Sequence, residues 1–388
     1  MQVLPIKGRG SLSNQGSRFA AYTREAFFDD WATFSGATAA HQAEIAKPAV
    51  QASAQPAPGV ASVNTGPSTP LPVRPATTVS AEHARTIISR NTSPDIPFDQ
   101  SVNAYRGCEH GCIYCYARPS HAYLDLSPGL DFETRLYAKL NAADALRKEL
   151  SRSSYVPKLI AMGTNTDPYQ PIERRLRITA SLLEVFDDFN HPVSITTKST
   201  LITRDIPLLS RLAQRRLVRV SMSIGTLNRE LARRMEPRAA TPEARLQAVR
   251  ALRQAGIPVS VIIAPVIPAL NDHELERVAI AAAEAGAQEA TYILLRLPRE
   301  VAGLFKEWLQ AHYPMKAAHV MNLLRTMRGG RDYDADFTQR MRGNGIHANM
   351  LRQRFARICA RTGLNQQRIT LDTSRFCPPG QTRQLGLF

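Results

Sequence analysis

Residues 101–118 read SVNAYRGCEHGCIYCYAR. A short β-branched and apolar run ends at Tyr105, and three of the chain's five cysteines follow within eight residues, at Cys108, Cys112 and Cys115. The spacing CxxxCxxC decides what kind of loop follows that strand. Structural zinc is usually held by two Cys or Cys/His pairs separated by a longer loop. Here the remaining thiols, Cys359 and Cys377, are distant. His110, between the first two thiols, keeps a zinc site open as an alternative. Three cysteines also suit a four-iron cluster, ligating three irons and leaving the fourth free for a small molecule. An open iron of that kind is suited to the amino and carboxylate groups of S-adenosylmethionine. Electron transfer into the sulfonium then breaks a C–S bond and creates a carbon radical.

Working outward, five more apolar runs recur: KLIAMG (158–163), VSITT (193–197), LVRVSMSI (217–224), VSVIIAP (259–265) and ATYILLRL (290–297). Helical patterns separate them at 131–150, 173–189, 204–214, 241–255 and 272–285. Thr241-Pro242-Glu243 and Asn271-Asp272 are helix-start signals, and Gly256 and Gly286 are helix stops. Near-continuous apolar strands alternating with helices imply parallel strands joined by right-handed crossovers. Six such units fit an α/β fold, either an incomplete barrel or an open doubly wound sheet. Both place the active site at the carboxyl ends of the strands.

Polar residues stand after each strand. TNTDPYQPIE follows the second, with Thr164, Asn165, Asp167 and Glu173. Thr197-Lys198-Ser199 ends the third, and Ser221 and Ser223 lie on the fourth. With the thiols they outline one pocket wall, in which Asn165, Asp167, Lys198, Ser221 and Ser223 are the expected cofactor contacts. Strand alternation points Ser221 and Ser223 the same way, so the pattern does not choose between them.

The chain divides into an N-terminal segment (1–34), an Ala/Pro-rich stretch without aromatics (35–80), the α/β core (81–300) and a mainly helical, basic C-terminal extension (301–388). The second reads as a flexible linker, having too little apolar surface to offset its ordering entropy. Net charge is +16, and residues 301–388 hold 14 Lys and Arg against 5 Asp and Glu. That asymmetry points to a polyanionic partner, DNA above all. Within the extension, Arg354, Arg357 and Arg361 fall on one helical stripe, a candidate phosphate-binding surface. No apolar run approaches the ~20 residues of a membrane span, and no secretory signal is apparent. Few, clustered cysteines do not form a disulfide framework, so a cytoplasmic location is expected.

CxxxCxxC on the loop after the first strand of six β/α units resembles the radical SAM superfamily. SRNTSPDIPFDQSVNAYRGCEHGCIYCYARPSHAYLDLSPGLDFETRL (89–136) resembles the branch related to spore photoproduct lyase, as do KGRGSLSN (7–14), MEPRAATPEAR (235–245) and AVRALRQAGIPVSVIIAPVIPALND (248–272). The resemblance covers 1–34 and 81–388. It implies a partial (β/α)6 TIM-like barrel, a [4Fe–4S] cluster on Cys108, Cys112 and Cys115, bound S-adenosylmethionine and a flavodoxin- or ferredoxin-type reductant. Tyr114 and Tyr116 match tyrosines implicated in hydrogen transfer. Lys198 matches a lysine on the SAM carboxylate, and Ser221 or Ser223 a serine facing SAM.

One departure stands out. The lyase carries a hydrogen-donating cysteine near the end of its second strand, where this chain reads AMGTNTDPYQ; Cys359 and Cys377 are the remaining candidates. The C-terminal QLGLF resembles the peptide by which bacterial repair and replication proteins bind the sliding clamp, with Gln384 setting register and Leu385, Leu387 and Phe388 entering an apolar pocket. The expected function is a radical SAM enzyme acting on DNA, in repair or base modification. The alternatives are a radical SAM enzyme on RNA, a peptide or a metabolite, and a non-enzymatic zinc or iron–sulfur nucleic-acid-binding protein.

Overall fold

The six apolar runs become six neighbouring parallel strands of one sheet. A computed structural model describes residues 5–19 and 75–380. The chain order is β1 (Thr78–Glu82), β2 (Ile88–Arg90), β3 (Gln100–Val102), β4 (Tyr105–Arg106), α1 (Asp131–Thr134), β5 (Arg135–Lys139), α2 (Ala142–Leu150), β6 (Ile160–Met162), α3 (Glu173–Leu176), α4 (Ile178–Asp188), β7 (Val193–Thr197), α5 (Ile206–Gln214), β8 (Val218–Ser223), α6 (Arg229–Met235), α7 (Pro242–Gln254), β9 (Val259–Val266), α8 (Leu275–Glu284), β10 (Glu289–Leu294), α9 (Val301–His312), α10 (Pro314–Thr326) and α11 (Gly345–Thr362). The large sheet runs β10-β9-β8-β7-β6-β3-β2. Every pair from β3 to β10 is parallel, and β2 lies antiparallel on the β3 edge. The order follows the chain without reversing, so the sheet has no switch point. It is the partial (β/α)6 barrel and not the doubly wound alternative.

The strands are less uniformly apolar than the runs suggested. Val193, Ile195, Val218, Val220, Met222, Val259, Val261 and Ile263 are buried in one core with Leu182, Phe186, Leu209, Leu252 and Val278 of the helices. The alternate positions are Ser194, Thr196, Arg219, Ser221, Ser260 and Thr291, and all but the buried Ser194 are half-buried. A period of two sends apolar side chains to the helices and polar ones to the opposite face. The barrel therefore presents a polar inner wall.

Local signals held where a side chain caps a helix. Thr241 accepts from Ala244 N with Pro242 in the first turn, and Gly256 and Gly286 take positive φ where α7 and α8 end. Asn271 behaves differently. Its side chain donates to Gly225 O and Pro265 O and accepts from Ile267 N, fixing the β8 and β9 ends to each other. The expected helix at 131–150 is interrupted: Arg135–Lys139 is β5, sandwiched between β1 and β4 in a separate small sheet. Its RLYAK alternation buries Leu136 and Ala138, a period-two signal inside an otherwise helical stretch. Arg177, at φ 55°, likewise divides the 173–189 helix into α3 and α4.

The C-terminal extension belongs to the barrel wall. Leu351, Phe355 and Ile358 of α11 are buried, Phe355 meets Tyr292 of β10 edge-on at 5.0 Å, and Arg354 grips Glu276 of α8 with two 2.6 Å bonds. Arg354 is thus committed to a carboxylate; Arg357 and Arg361 remain exposed. Asp95, leading into β3, forms a forked ion pair with Arg340, whose neighbour Met341 accepts Leu294 N of β10. That pair joins the two ends of the open sheet.

Residues 5–19 fold with 75–380 as one unit, and β1 begins at Thr78, inside the expected linker. The other unit, 20–74, and the tail carrying Gln384, Leu385, Leu387 and Phe388 lie outside the described residues. None of the described helices is long and apolar enough to cross a membrane.

At the amino ends of the strands, His191 is wholly buried among Tyr155, Phe186 and Phe376, with Nε2 2.7 Å from the Tyr155 hydroxyl. Burial pushes its imidazole down to about 4, with the Pro192 carbonyl opposing. The unfolded chain, titrating near 6.5, takes up a proton the folded chain refuses. Stability from this group is therefore complete above pH 6.5 and is lost as pH falls through 4, an effect of about 3 kcal/mol. Urea unfolding of His191→Gln should show less loss than the wild type between pH 7 and pH 4.5. Equal acid sensitivity of the two proteins would exclude His191 as the source.

Candidate functional site

β4 feeds directly into the thiol loop, and the loop is held by groups from every side. Gly107 sits at φ +75°, where a Cβ would come within 2.9 Å of Phe132 O, so only glycine makes this turn. Cys108 N donates to Phe132 O, Ile113 N to Met235 O, and Glu109 N to the Gln170 side chain, which in turn donates to Gly107 O. Arg118, wholly buried, donates to Cys112 O, Gly111 O, Pro128 O and Gly129 O and pairs with Glu133 at 2.5 Å. Glu133 also accepts Gly10 N and Ser11 N, so the N-terminal KGRGS stretch lies against the loop. Gly10 is so close to Gly111 O that an added Cβ would stand 1.8 Å from it.

Cys108 and Cys112 are buried and Cys115 is half-buried; Phe132 and Ala117 pack against the first and last. Burial pushes the Cys112 and Cys115 thiols up, and the charges of the neighbouring thiols add to it. Such thiols ionise only beside a compensating cation. Three sulfur donors on one loop fit an iron–sulfur cluster. A single tetrahedral zinc would need its sulfurs about 3.8 Å apart. Among the described residues no three His, Cys, Asp or Glu side chains are gathered to hold one ion. His110, the candidate fourth ligand, has Nδ1 3.3 Å from Asp167 Oδ2 and also lies against Cys108.

Asp167 is a hub. Burial opposes its charge, but His110, the Thr197 hydroxyl (2.7 Å) and Lys198 N (2.8 Å) outweigh this and hold the carboxyl below its ordinary range. Tyr169 N adds a fourth donor at 2.9 Å. Both oxygens are therefore taken up by protein, tying the thiol loop to the end of β7. Asn165 donates its backbone N to Asn103 and its side chain, at 3.4 Å, to Ser120.

The structure gathers Tyr114 and Lys198 around a group that sequence reading missed. The Tyr114 hydroxyl donates to buried Glu236, which is also ion-paired with buried Arg245. Lys198 Nζ stands 5.9 Å from the Tyr114 ring centre. Burial works against the Lys198 charge, but Cys112 and Glu236 outweigh it and push the ammonium up to about 12. Burial alone would raise the Glu236 carboxyl; Arg245 and Lys198 hold it down instead. The Tyr114 phenol, buried beside that carboxylate, is pushed far up and stays protonated. Arg245 also donates to Ser223 O at 2.8 Å, while the Ser221 hydroxyl faces Ser260 at 2.8 Å. Tyr116 is turned outward, about half exposed, with its hydroxyl on Thr164 O.

Neither spare cysteine reaches this end of the barrel. Cys359 is buried in α11 beside Asn365, whose side chain bonds Ala290 at the start of β10. Cys377 donates its backbone N to Phe189 O, near the amino end of β7. The signal for Glu236 and Arg245 was present in MEPRAATPEAR, which also supplies Arg238 to Glu109 at 2.9 Å.

Comparison with known proteins bears on the same segments. The sequence profile of the radical SAM superfamily matches residues 102–281. An uncharacterized protein of Mycobacterium tuberculosis is 41% identical over 231 residues, 59% of this chain and 68% of that protein. An uncharacterized protein of Methanocaldococcus jannaschii is 30% identical over 173 residues, 45% of this chain and 62% of that protein. Among solved structures, spore photoproduct lyase complexed with dinucleoside spore photoproduct is similar at 18% identity, with a TM-score of 0.49 over 74% of this chain and 80% of that one.

Glu236 offers a direct test of the site's electrostatics. Glu236→Ala leaves the Arg245 and Lys198 cations buried without their carboxylate, and should lower unfolding free energy by about 3–5 kcal/mol in urea titrations. Glu236→Gln, keeping shape and a hydrogen-bond acceptor, should lose less. A Glu236→Ala loss under about 1 kcal/mol would show that the cluster of charges is not load-sharing.

Proposed function

The chain belongs to the radical SAM superfamily, and from that premise we propose that it abstracts hydrogen from DNA, in repair or base modification. When bound, the [4Fe–4S] cluster and S-adenosylmethionine supply reductive C–S cleavage and a carbon radical. Cys108, Cys112 and Cys115 are the cluster ligands in this reading. Lys198, at the end of β7, and Ser223, at the end of β8, take the charged amino-acid end of S-adenosylmethionine. Ser221 lines the inner wall below. Asp167 positions Lys198 and the thiol loop instead of touching cofactor, because its oxygens are already engaged. Asn165 shapes the β6 loop. Tyr114 is locked to Glu236, which leaves Tyr116 as the tyrosine that meets substrate.

The observation that carries the DNA reading is a rim of exposed rings, each faced by arginine. Arg18 lies 4.6 Å from the Phe19 ring centre and 5.1 Å from that of Tyr123, and Arg340 lies 4.5 Å from that of Phe337. These rings are 55%, 67% and 44% exposed, where large apolar groups are normally covered. Tyr123 follows the thiol loop, Arg18 pairs with Glu300 beyond β10, and Phe337 lies in the segment along β10. Exposed rings are what the bases of single-stranded or splayed-out nucleic acid stack on, and the arginines that face these rings are themselves braced by Glu300 and Asp95. The +16 charge supports the same partner. The QLGLF tail, as a sliding-clamp peptide, would bring the enzyme to replicated or repaired DNA. A thiol hydrogen donor is absent from the mouth among the described residues, so the terminating step differs from one using a second-strand cysteine.

The test uses anaerobically reconstituted protein with S-adenosylmethionine and dithionite, counting 5′-deoxyadenosine without DNA, with intact DNA and with irradiated DNA. DNA should stimulate cleavage. Cleavage indifferent to every DNA would overturn the substrate reading while leaving the enzyme class in place. Cys112→Ala should lose both the visible absorption of the cluster and all cleavage.

A further inference from the structure

Among the described residues, two arginines at the carboxyl end of β10 make no ion pair with a carboxylate, though Asp334 acts on the second from a distance. Arg296 follows the strand by two residues, and its guanidinium lies 5.2 Å from the Tyr116 ring centre, one residue from Cys115. Its Nη1 meets the Met341 sulfur at 3.5 Å, a weak acceptor, and its Nε is buried with no partner. Behind it, Arg328 is wholly buried; it donates to Gln339 O and Leu295 O, and its Nε too has no partner. Burial, and then the Arg296 charge, push the Arg328 guanidinium down to about 10. Four other arginines of this side are neutralised, Arg340 by Asp95, Arg331 by Asp334, Arg325 by Asp332 and Arg18 by Glu300, while Arg342 lies over the Tyr292 ring. Arg118, equally buried and with four carbonyl contacts, has Glu133 as well.

Desolvated charge of one sign is unfavourable until an anion arrives. We propose that Arg296, backed by Arg328, is an anion subsite that holds a backbone phosphate of the substrate while a base lies against Tyr116. The inference rests on the nucleic-acid reading above and adds to it the place where the strand is gripped. Phosphate suits the site because a guanidinium fork matches its oxygens and because a chain phosphate arrives together with a base to stack. Arg328, holding Leu295 O, positions the turn that presents Arg296.

The experiment measures fluorescence anisotropy of a labelled single-stranded oligonucleotide on the full chain across a salt series. The proteins are wild type, Arg296→Ala, Arg296→Lys and, as an exposed control on α11, Arg352→Ala, each checked for an unchanged melting temperature. Arg296→Ala should lower the slope of log K against log salt by about one and weaken binding about fivefold at physiological salt. Arg296→Lys should keep the slope. A wild-type slope in Arg296→Ala, or an equal drop in Arg352→Ala, overturns the subsite and leaves the proposed function standing. If the wild type binds no oligonucleotide, the nucleic-acid reading falls. Inorganic phosphate then decides the subsite: a rise in melting temperature that Arg296→Ala lacks supports an anion site for another phosphorylated substrate, and no rise overturns it.

Discussion

The buried Arg118–Glu133 ion pair is the constraint on which the site depends. Each partner is wholly buried, and the pair is tolerable only because nearly every remaining donor and acceptor is used. Arg118 spends its donors on the carbonyls of the thiol loop, and Glu133 spends its oxygens on the N-terminal segment. Three pieces of chain far apart in sequence are thereby fixed to each other. A loop carrying three thiols has few contacts of its own; its shape is imposed from behind. The glycines at 10 and 107 belong to the same constraint, since both stand where backbone meets backbone too closely for a side chain.

In front of that frame the charges are arranged in opposition. Lys198 and Arg245 face Glu236; His110 faces Asp167. Glu236, Arg245, His110 and Asp167 are each held by an ion pair, and Lys198 stands beside them over the Tyr114 ring. Pre-set dipoles and charges in a dry pocket act without reorganising when charge develops nearby. The same crowding sets Tyr114 and Tyr116 differently. The first has its hydroxyl committed inside; the second turns its ring to the opening.

Much of this was legible in the sequence. The thiol spacing and six apolar runs at regular intervals gave the barrel and the end where its site lies, because both are local patterns of fixed period. The β1–β5–β4 sheet was not legible, since its strands are short, β1 pairs with β5 across more than fifty residues, and RLYAK is hidden inside a helical stretch. Glu236, Arg245 and Arg118 were missed for a related reason. A single charged residue reads as solvated surface, and only long-range folding reveals that it is buried. Asp167 was legible as a pocket residue but its protein partners were not, since a polar residue after a strand is equally suited to touching a ligand or bracing a neighbour. Cys359 and Cys377 show the converse: a reactive residue type says nothing of which end of a barrel it occupies. The stretch carrying the clamp-like tail and most of the linker falls outside the described residues, so those readings stand where the sequence leaves them.

The sheet is not a closed ring. Between its first and last strands the Asp95–Arg340 pair takes the place that a ladder of backbone hydrogen bonds would fill. A side-chain clasp can part and re-form without unfolding a strand. The width of the barrel at this seam is therefore set by side chains and not by a fixed backbone register.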